Sequence, residues 1–175
     1  MKIKVLREAG YEEALLGLSL SYNSEPSERV AKTLAFKNLG HNKFLESMAV
    51  WIDMTAPRGF WQQYDTYRIG VTKSSESTMH TILRSKFVPS MFENPNISVA
   101  LINLLNSFRA KGDWRNLKDH LPESFLQRRI ICTNYRVLQG MEAQRRSHKL
   151  YEWQMYLDCI LAQVEYPEFI RREDE

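Results

Sequence analysis

The stretch Arg128-Arg-Ile-Ile-Cys-Thr-Asn134-Tyr-Arg136-Val-Leu138, running on to Gln144-Arg-Arg-Ser-His148, decides how the rest of the chain is read. Its apolar, β-branched start reads as a buried strand, and the residues from Tyr135 onward read as a helix fed directly by it. Asn134 and Arg136 then stand at the junction, with Arg145 and His148 farther along. Polar groups beside a buried strand are costly unless something pairs with them. Their concentration at a strand-to-helix turn points to an anionic ligand.

Around that stretch the chain is ordinary in bulk. It has 175 residues, 43% hydrophobic and 26% charged, which suits one folded domain with a real core and argues against disorder. A net charge of +3 is compatible with a phosphorylated ligand and too small to argue for nucleic acid. The two cysteines, Cys132 and Cys159, each sit in an apolar stretch. They read as reduced, buried thiols rather than a disulfide framework or an activated nucleophile. The opening Met1-Lys-Ile-Lys-Val-Leu is already strand-like, so no signal peptide is expected, and no apolar run is long enough to cross a membrane. A soluble cytoplasmic protein is the expectation.

Periodicity supplies the remaining elements. Lys2–Arg7 alternates like a half-exposed strand. Glu12–Leu20 and Ser27–Leu39 have helical spacing, with Ser27 as a cap and Val30, Leu34 and Phe36 turned inward. Ser47–Met54 reads as a strand that Ala56-Pro57 ends, and proline suits the opening of the helix Arg58–Asp65. Val71–Ser77 is polar and loop-like. Ile97–Ala110 reads as an apolar helix, Asp113 as the cap of a short helix through Lys118, and Leu121-Pro-Glu as a turn. Arg129–Thr133 is a strand, and Tyr135–Arg146 and Lys149–Val164 are helices. The expected result is one α+β domain over residues 1–170, with an antiparallel or mixed sheet and a frayed charged tail at 171–175.

Other chemistries find little support in the residues. No pair of His, Cys, Asp or Glu has zinc-like spacing, and neither a Gly-rich phosphate loop nor a GxGxxG is present, so no metal and no Rossmann-type binding is expected. His80 and His120 read as structural. The tryptophans at 51, 61, 114 and 153 read as core or subunit interface. Arg128-Arg129, Arg136, Arg145-Arg146 and Lys149 also allow a solvated basic face or a nucleic-acid patch.

Taken in order, several of these segments resemble the flavin-dependent thymidylate synthases. That family has a histidine, an acidic residue and a strand leading to Ala-Pro, then a helix with a Gln and an Arg-His-Arg triplet. Here His41, Glu46, Ala56-Pro57, Gln63 and Arg68 stand at matching separations. Farther on, Leu121-Pro122, Arg128, Asn134-Tyr-Arg136-Val-Leu138, Arg145, Ser147-His148 and Glu152-Trp-Gln154 match the family's order. The likeness runs from about His41 to Phe169, with one residue fewer between Arg145 and Ser147.

The resemblance implies roles. His41, Glu46, Arg68, Asn134, Arg136 and His148 would bind FAD. Gln63, Ser77, Arg115 and Arg145 would hold a pyrimidine deoxynucleoside monophosphate, and Gln63, Arg68, Ser77 and Arg145 would serve the reaction. It further implies methylenetetrahydrofolate as one-carbon donor, NADPH as reductant and a homotetramer with sites between subunits. Neither membrane nor nucleic acid is expected as a partner.

The family's Arg-His-Arg is Thr66-Tyr67-Arg68 here, and its serine, any residue, then Arg-Tyr is best matched by Ser77-Thr-Met79-His80. Two arginines are thereby missing. Two readings stay open. The chain acts on dUMP or a variant such as dCMP, leaving a methyl or hydroxymethyl group at C5. Alternatively, it is a non-catalytic module that binds nucleotide or nucleic acid on the same scaffold.

Overall fold

The computed structural model describes residues 1–37 and 39–172. Four strands, β1 (Lys2–Ala9), β2 (Ala49–Pro57), β3 (Thr72–Ser75) and β4 (Leu126–Asn134), form an antiparallel sheet in the order β1-β2-β4-β3. β2 alternates buried and half-buried residues from Val50 to Ala56, the period-two pattern of a central strand. The α+β expectation therefore holds. The chain divides into two compact units, whose limits fall inside β2 and β4.

One unit holds Ile3–Asp53, Arg68–Lys73 and Ile130–Glu175. It carries α1 (Tyr11–Leu20), α2 (Glu28–Ala35), a 3-10 turn at Lys43–Glu46, α7 (Tyr135–Arg145), α8 (Tyr151–Leu161) and a 3-10 turn at Pro167–Phe169. Ser27 caps α2 as expected, its hydroxyl accepting from the Val30 amide. The helix ends at Ala35 rather than Leu39, and Asn38, within the expected span, lies outside the described residues. The backbone has turned left-handed by Leu39 and Gly40, with φ of 64° and 84°. Gly10 joins β1 to α1 at φ 95°, and a Cβ there would stand 2.2 Å from the Ser47 carbonyl oxygen, so only glycine fits. Leu138, Met141, Trp153, Tyr156 and Ile160 are fully buried and form the seam of α7 and α8. The outer edge of β1 is closed by one side chain: Gln163 accepts from the Val5 amide and donates to the Ile3 carbonyl. Of the expected tail, Glu173 to Glu175 lie outside the described residues.

The other unit holds Met1–Lys2, Met54–Tyr67 and Ser74–Arg129. It carries α3 (Arg58–Tyr64), α4 (Thr78–Thr81), α5 (Val99–Ala110) and α6 (Trp114–Asp119). Ile82, Phe87, Phe92, Ile102, Leu105, Leu117 and Leu121 make its core. Asp113 caps α6 as expected, accepting from the Asn116 amide. Pro57 closes β2 and serves as the cap before α3.

Two expectations are corrected. Val71–Ser77, read as loop, contains β3, an edge strand made by backbone pairing with no apolar alternation for the sequence to show. Thr78–Thr81 is a single helical turn too short and polar to announce itself. The cysteines are free but half-buried rather than fully buried.

Candidate functional site

The strand-to-helix junction is built as follows. β4 runs to Asn134, whose side-chain oxygen accepts from the Val137 amide and caps α7. Capping uses the oxygen and leaves the amide nitrogen facing Gly70. The segment Arg68–Lys73 passes directly over this cap: a Cβ on Gly70 would meet the Asn134 Nδ2 at 2.9 Å. Arg68 lies on that segment and is exposed. Within the first turn of α7, the Arg136 guanidinium donates to Gln139 Oε1 at 2.8 Å. Among the described residues no carboxylate pairs with Arg136. No described carboxylate therefore cancels its charge, and it stands at the N-terminal end of an 11-residue helix, where the helix dipole favours anions.

Gln139 is 7% exposed and uses every bonding position of its amide. Its nitrogen donates to the carbonyls of Ala35 at 3.0 Å and Phe169 at 2.9 Å. Its oxygen also accepts from Asn42 Nδ2 at 3.4 Å. Asn42 is the neighbour of His41, so this amide joins the Arg136 end of α7 to the loop carrying His41.

That loop forms one wall of an open groove of about 620 Å³. His41, Lys43 and Glu46 line it together with Leu18, Tyr22 and Leu34. His41 and Glu46 are exposed toward solvent, as is Leu39, which is left-handed and 98% accessible. A groove of this size with an apolar floor and a few charged groups is typical of small-molecule sites.

Arg145 and His148 lie at the opposite end of α7, about 16 Å from Asn134 at 1.5 Å per residue. The Arg145 guanidinium lies 5.2 Å over the Trp153 ring, and the His148 ring meets the same indole edge-on. His148 Nδ1 accepts from the Leu150 amide at 3.1 Å, which leaves Nε2 as the outward nitrogen. Gln154 Nε2 holds the turn, donating to the carbonyls of Arg146 and His148. Within this unit, then, Asn134, Arg136 and the Arg68 segment share the start of α7, the loop carrying His41 reaches that helix through Asn42 and Gln139, and Arg145 and His148 lie at the other end.

Gln63, Ser77 and Arg115 belong to the other unit. Gln63 is half-buried on α3, and its carbonyl takes the Thr66 hydroxyl at 2.7 Å. Ser77 precedes α4, and its carbonyl accepts from the Thr81 amide and hydroxyl. Arg115 is 73% exposed and pairs with Asp119 at 3.2 Å.

Neighbouring cations are differently placed. Arg129 Nη1 donates to both Asp65 carboxylate oxygens, at 2.8 and 3.0 Å, and the guanidinium lies 4.3 Å over the Trp61 ring. Arg146 is held by Glu142 and Asp158, which together push its pKa up, the Glu142 hydrogen bond most. Sequence spacing alone singles out neither Gln139 and Asn42 nor this sorting of arginines. Gln139 stands three residues after Arg136, a spacing that faces it on a helix.

A third cluster sits where β1, α7 and the chain after α8 meet. The Tyr135 hydroxyl donates to Glu8, whose other oxygen accepts from the Glu165 amide, and Tyr11 stacks on Tyr166 at 3.9 Å. Burial pushes the Glu8 carboxyl above its ordinary value, against the pull of the Tyr135 hydroxyl. Burial likewise raises the Tyr11 hydroxyl, to about 12. Among the described residues no cluster could hold a metal ion, and no helix is long and apolar enough to cross a membrane.

No protein-family model matches the chain, and no curated protein matches it in sequence. Solved structures do match its shape. A crystal structure of the flavin-dependent thymidylate synthase ThyX from Helicobacter pylori, complexed with FAD and dUMP, matches with a TM-score of 0.83 at 19% identity, covering 99% of each chain. A second structure of that protein with FAD and dUMP gives 0.82 at 16% identity, covering 99% of this chain and 98% of the other. At such identities the likeness establishes the fold over the whole length and leaves the chemistry to be argued from the residues.

Proposed function

We propose that this chain, which has the fold of the flavin-dependent thymidylate synthases, transfers a one-carbon unit from methylenetetrahydrofolate to C5 of a pyrimidine deoxynucleoside monophosphate. The nucleotide is dUMP or a variant such as dCMP, the product methyl or hydroxymethyl. The observation that carries the reading is the charge on Arg136, oriented by a neutral amide at the start of α7 within that fold.

The residues fit a flavin dinucleotide. Its pyrophosphate needs a cation that no carboxylate has cancelled, and oriented donors beside it. Arg136 supplies the first, and its own backbone amide supplies the second, since the flanking amides of Tyr135 and Val137 are taken by the Met48 carbonyl and Asn134 Oδ1. Arg68, His41, Glu46 and His148 complete the proposed FAD set. Reduced flavin, when bound, would supply the hydride that a methyl product needs, with NADPH as its source, whereas a hydroxymethyl product would take water in its place. Arg145 would grip the nucleotide phosphate, its guanidinium steadied by the Trp153 ring. Gln63, Ser77 and Arg115 would hold the remainder of the nucleotide. His148 would present Nε2–H as a donor, because Nδ1 is committed to the Leu150 amide. The sites are completed between the chains of a cytoplasmic homotetramer.

The test is an absorbance scan of the purified protein before and after FAD, then after dUMP or dCMP. The expected result is flavin absorbance that bleaches on reduction and shifts on adding one of the nucleotides. A colourless protein that no added FAD can reconstitute ends the proposal. A second reading, nucleotide binding without transfer, draws on the loss of two family arginines; the Thr66 hydroxyl is tied to the end of its own helix. Flavin and nucleotide binding with no C5-modified product would favour it.

A further inference from the structure

We propose that Gln139 is the positioning residue of the flavin site, fixing the Arg136 guanidinium and the loop before His41 through a single amide oxygen. The inference rests on the flavin reading above and adds a residue to which that reading assigns nothing.

The orientation of this amide is forced. The carbonyls of Ala35 and Phe169 accept only, so they require the nitrogen of Gln139 on their side. Arg136 Nη1 and Asn42 Nδ2 donate only, so they require the oxygen on theirs. A flipped amide would break all four contacts, and at 7% exposure water cannot replace them. The end of α2 and the 3-10 turn Pro167–Phe169 thus set the direction in which Arg136 points.

The choice of an amide also matters. A carboxylate at 139 would hold the guanidinium equally well but cancel its charge, as Glu142 and Asp158 do for Arg146. A neutral oxygen orients the cation and leaves it available to a phosphate. Asn42 is 4% exposed and reaches the same oxygen, so the His41 loop and the Arg136 side chain answer to one group.

A double-mutant cycle on FAD affinity tests this, read by quenching of flavin fluorescence in the full-length protein. Gln139→Met keeps the bulk and removes every polar contact. It should weaken FAD binding roughly tenfold, the scale of one charge-assisted hydrogen bond. In an Arg136→Ala background the same substitution should cost only about two- to threefold, because of its two targets only the His41 loop remains. A merely structural role would cost the same factor in both backgrounds, and that additive result overturns the proposal. Should Gln139→Met fail to fold, Asn42→Ala against Arg136→Ala reads the coupling through the oxygen they share. There a loss of roughly threefold for Asn42→Ala should become measurably smaller in the second background, and full additivity overturns the proposal. A wild-type protein that takes up no FAD overturns the function proposed above and this inference with it. A wild type that binds FAD with an additive cycle overturns this inference alone.

Discussion

Arginines of this chain divide by what holds them, and the division predicts opposite phenotypes. Arg146 sits between Asp158 and Glu142, whose side chain is 9% exposed. Arg146→Ala should leave that carboxylate only the 3.8 Å contact to Arg171 and destabilise the protein by about 2 kcal/mol, seen as a lower denaturation midpoint, with FAD affinity little changed. Arg136→Ala should do the reverse: the midpoint moves little while FAD affinity falls at least tenfold, read by flavin titration. Equal losses of stability and affinity in both variants would contradict this sorting. The sequence shows where the arginines are but only some of what they touch. Glu142 stands four residues before Arg146 and could be read as its partner. Asp65, which neutralises Arg129, is 64 residues away and has no sequence signal. Gln139 is legible only once Arg136 is suspected.

Among the elements, α7 and its neighbours carry two further expectations. Asn134→Ala removes the cap of α7 and should cost about 1 kcal/mol in thermal or chemical denaturation. Glu8 gives a pH dependence whose sign follows from burial. Its folded pKa lies above the ordinary 4.5, so the native state binds its proton more tightly than the unfolded chain. Its contribution is therefore most favourable below the ordinary value and is lost as pH rises through the elevated one. Glu8→Gln should flatten stability over that window in denaturation curves taken at successive pH values. An unchanged slope would show that Glu8 is not the group responsible. The elements themselves were largely legible where a cap or a proline marks them: Ser27, Asp113, Pro57 and Asn134 all stand where the sequence put them. β3 and α4 were not, because an edge strand of Thr72-Lys-Ser-Ser75 owes its place to backbone pairing and has no side-chain pattern.

For the whole molecule, a ligand that binds only the folded state must raise its stability by mass action. FAD at 100 times its Kd should add about 2.7 kcal/mol, seen as a thermal midpoint that climbs with FAD concentration. A midpoint indifferent to FAD would speak against the proposed cofactor. The fold class was readable from the order of elements and the spaced matches between His41 and Gln154, although the chain shares only 19% identity with a structure of the same shape. The large-scale arrangement survives such divergence because it depends on pattern, whereas a pocket depends on individual donors. At the edge of the sheet, the Gln163 amide bonds the Val5 amide and the Ile3 carbonyl of β1. It occupies the row of backbone groups onto which a stray chain would otherwise dock. Preparations of Gln163→Ala should turn cloudy on storage at concentrations where the parent stays clear, with light scattering as the gauge: one side chain stands guard over the shelf life of the protein.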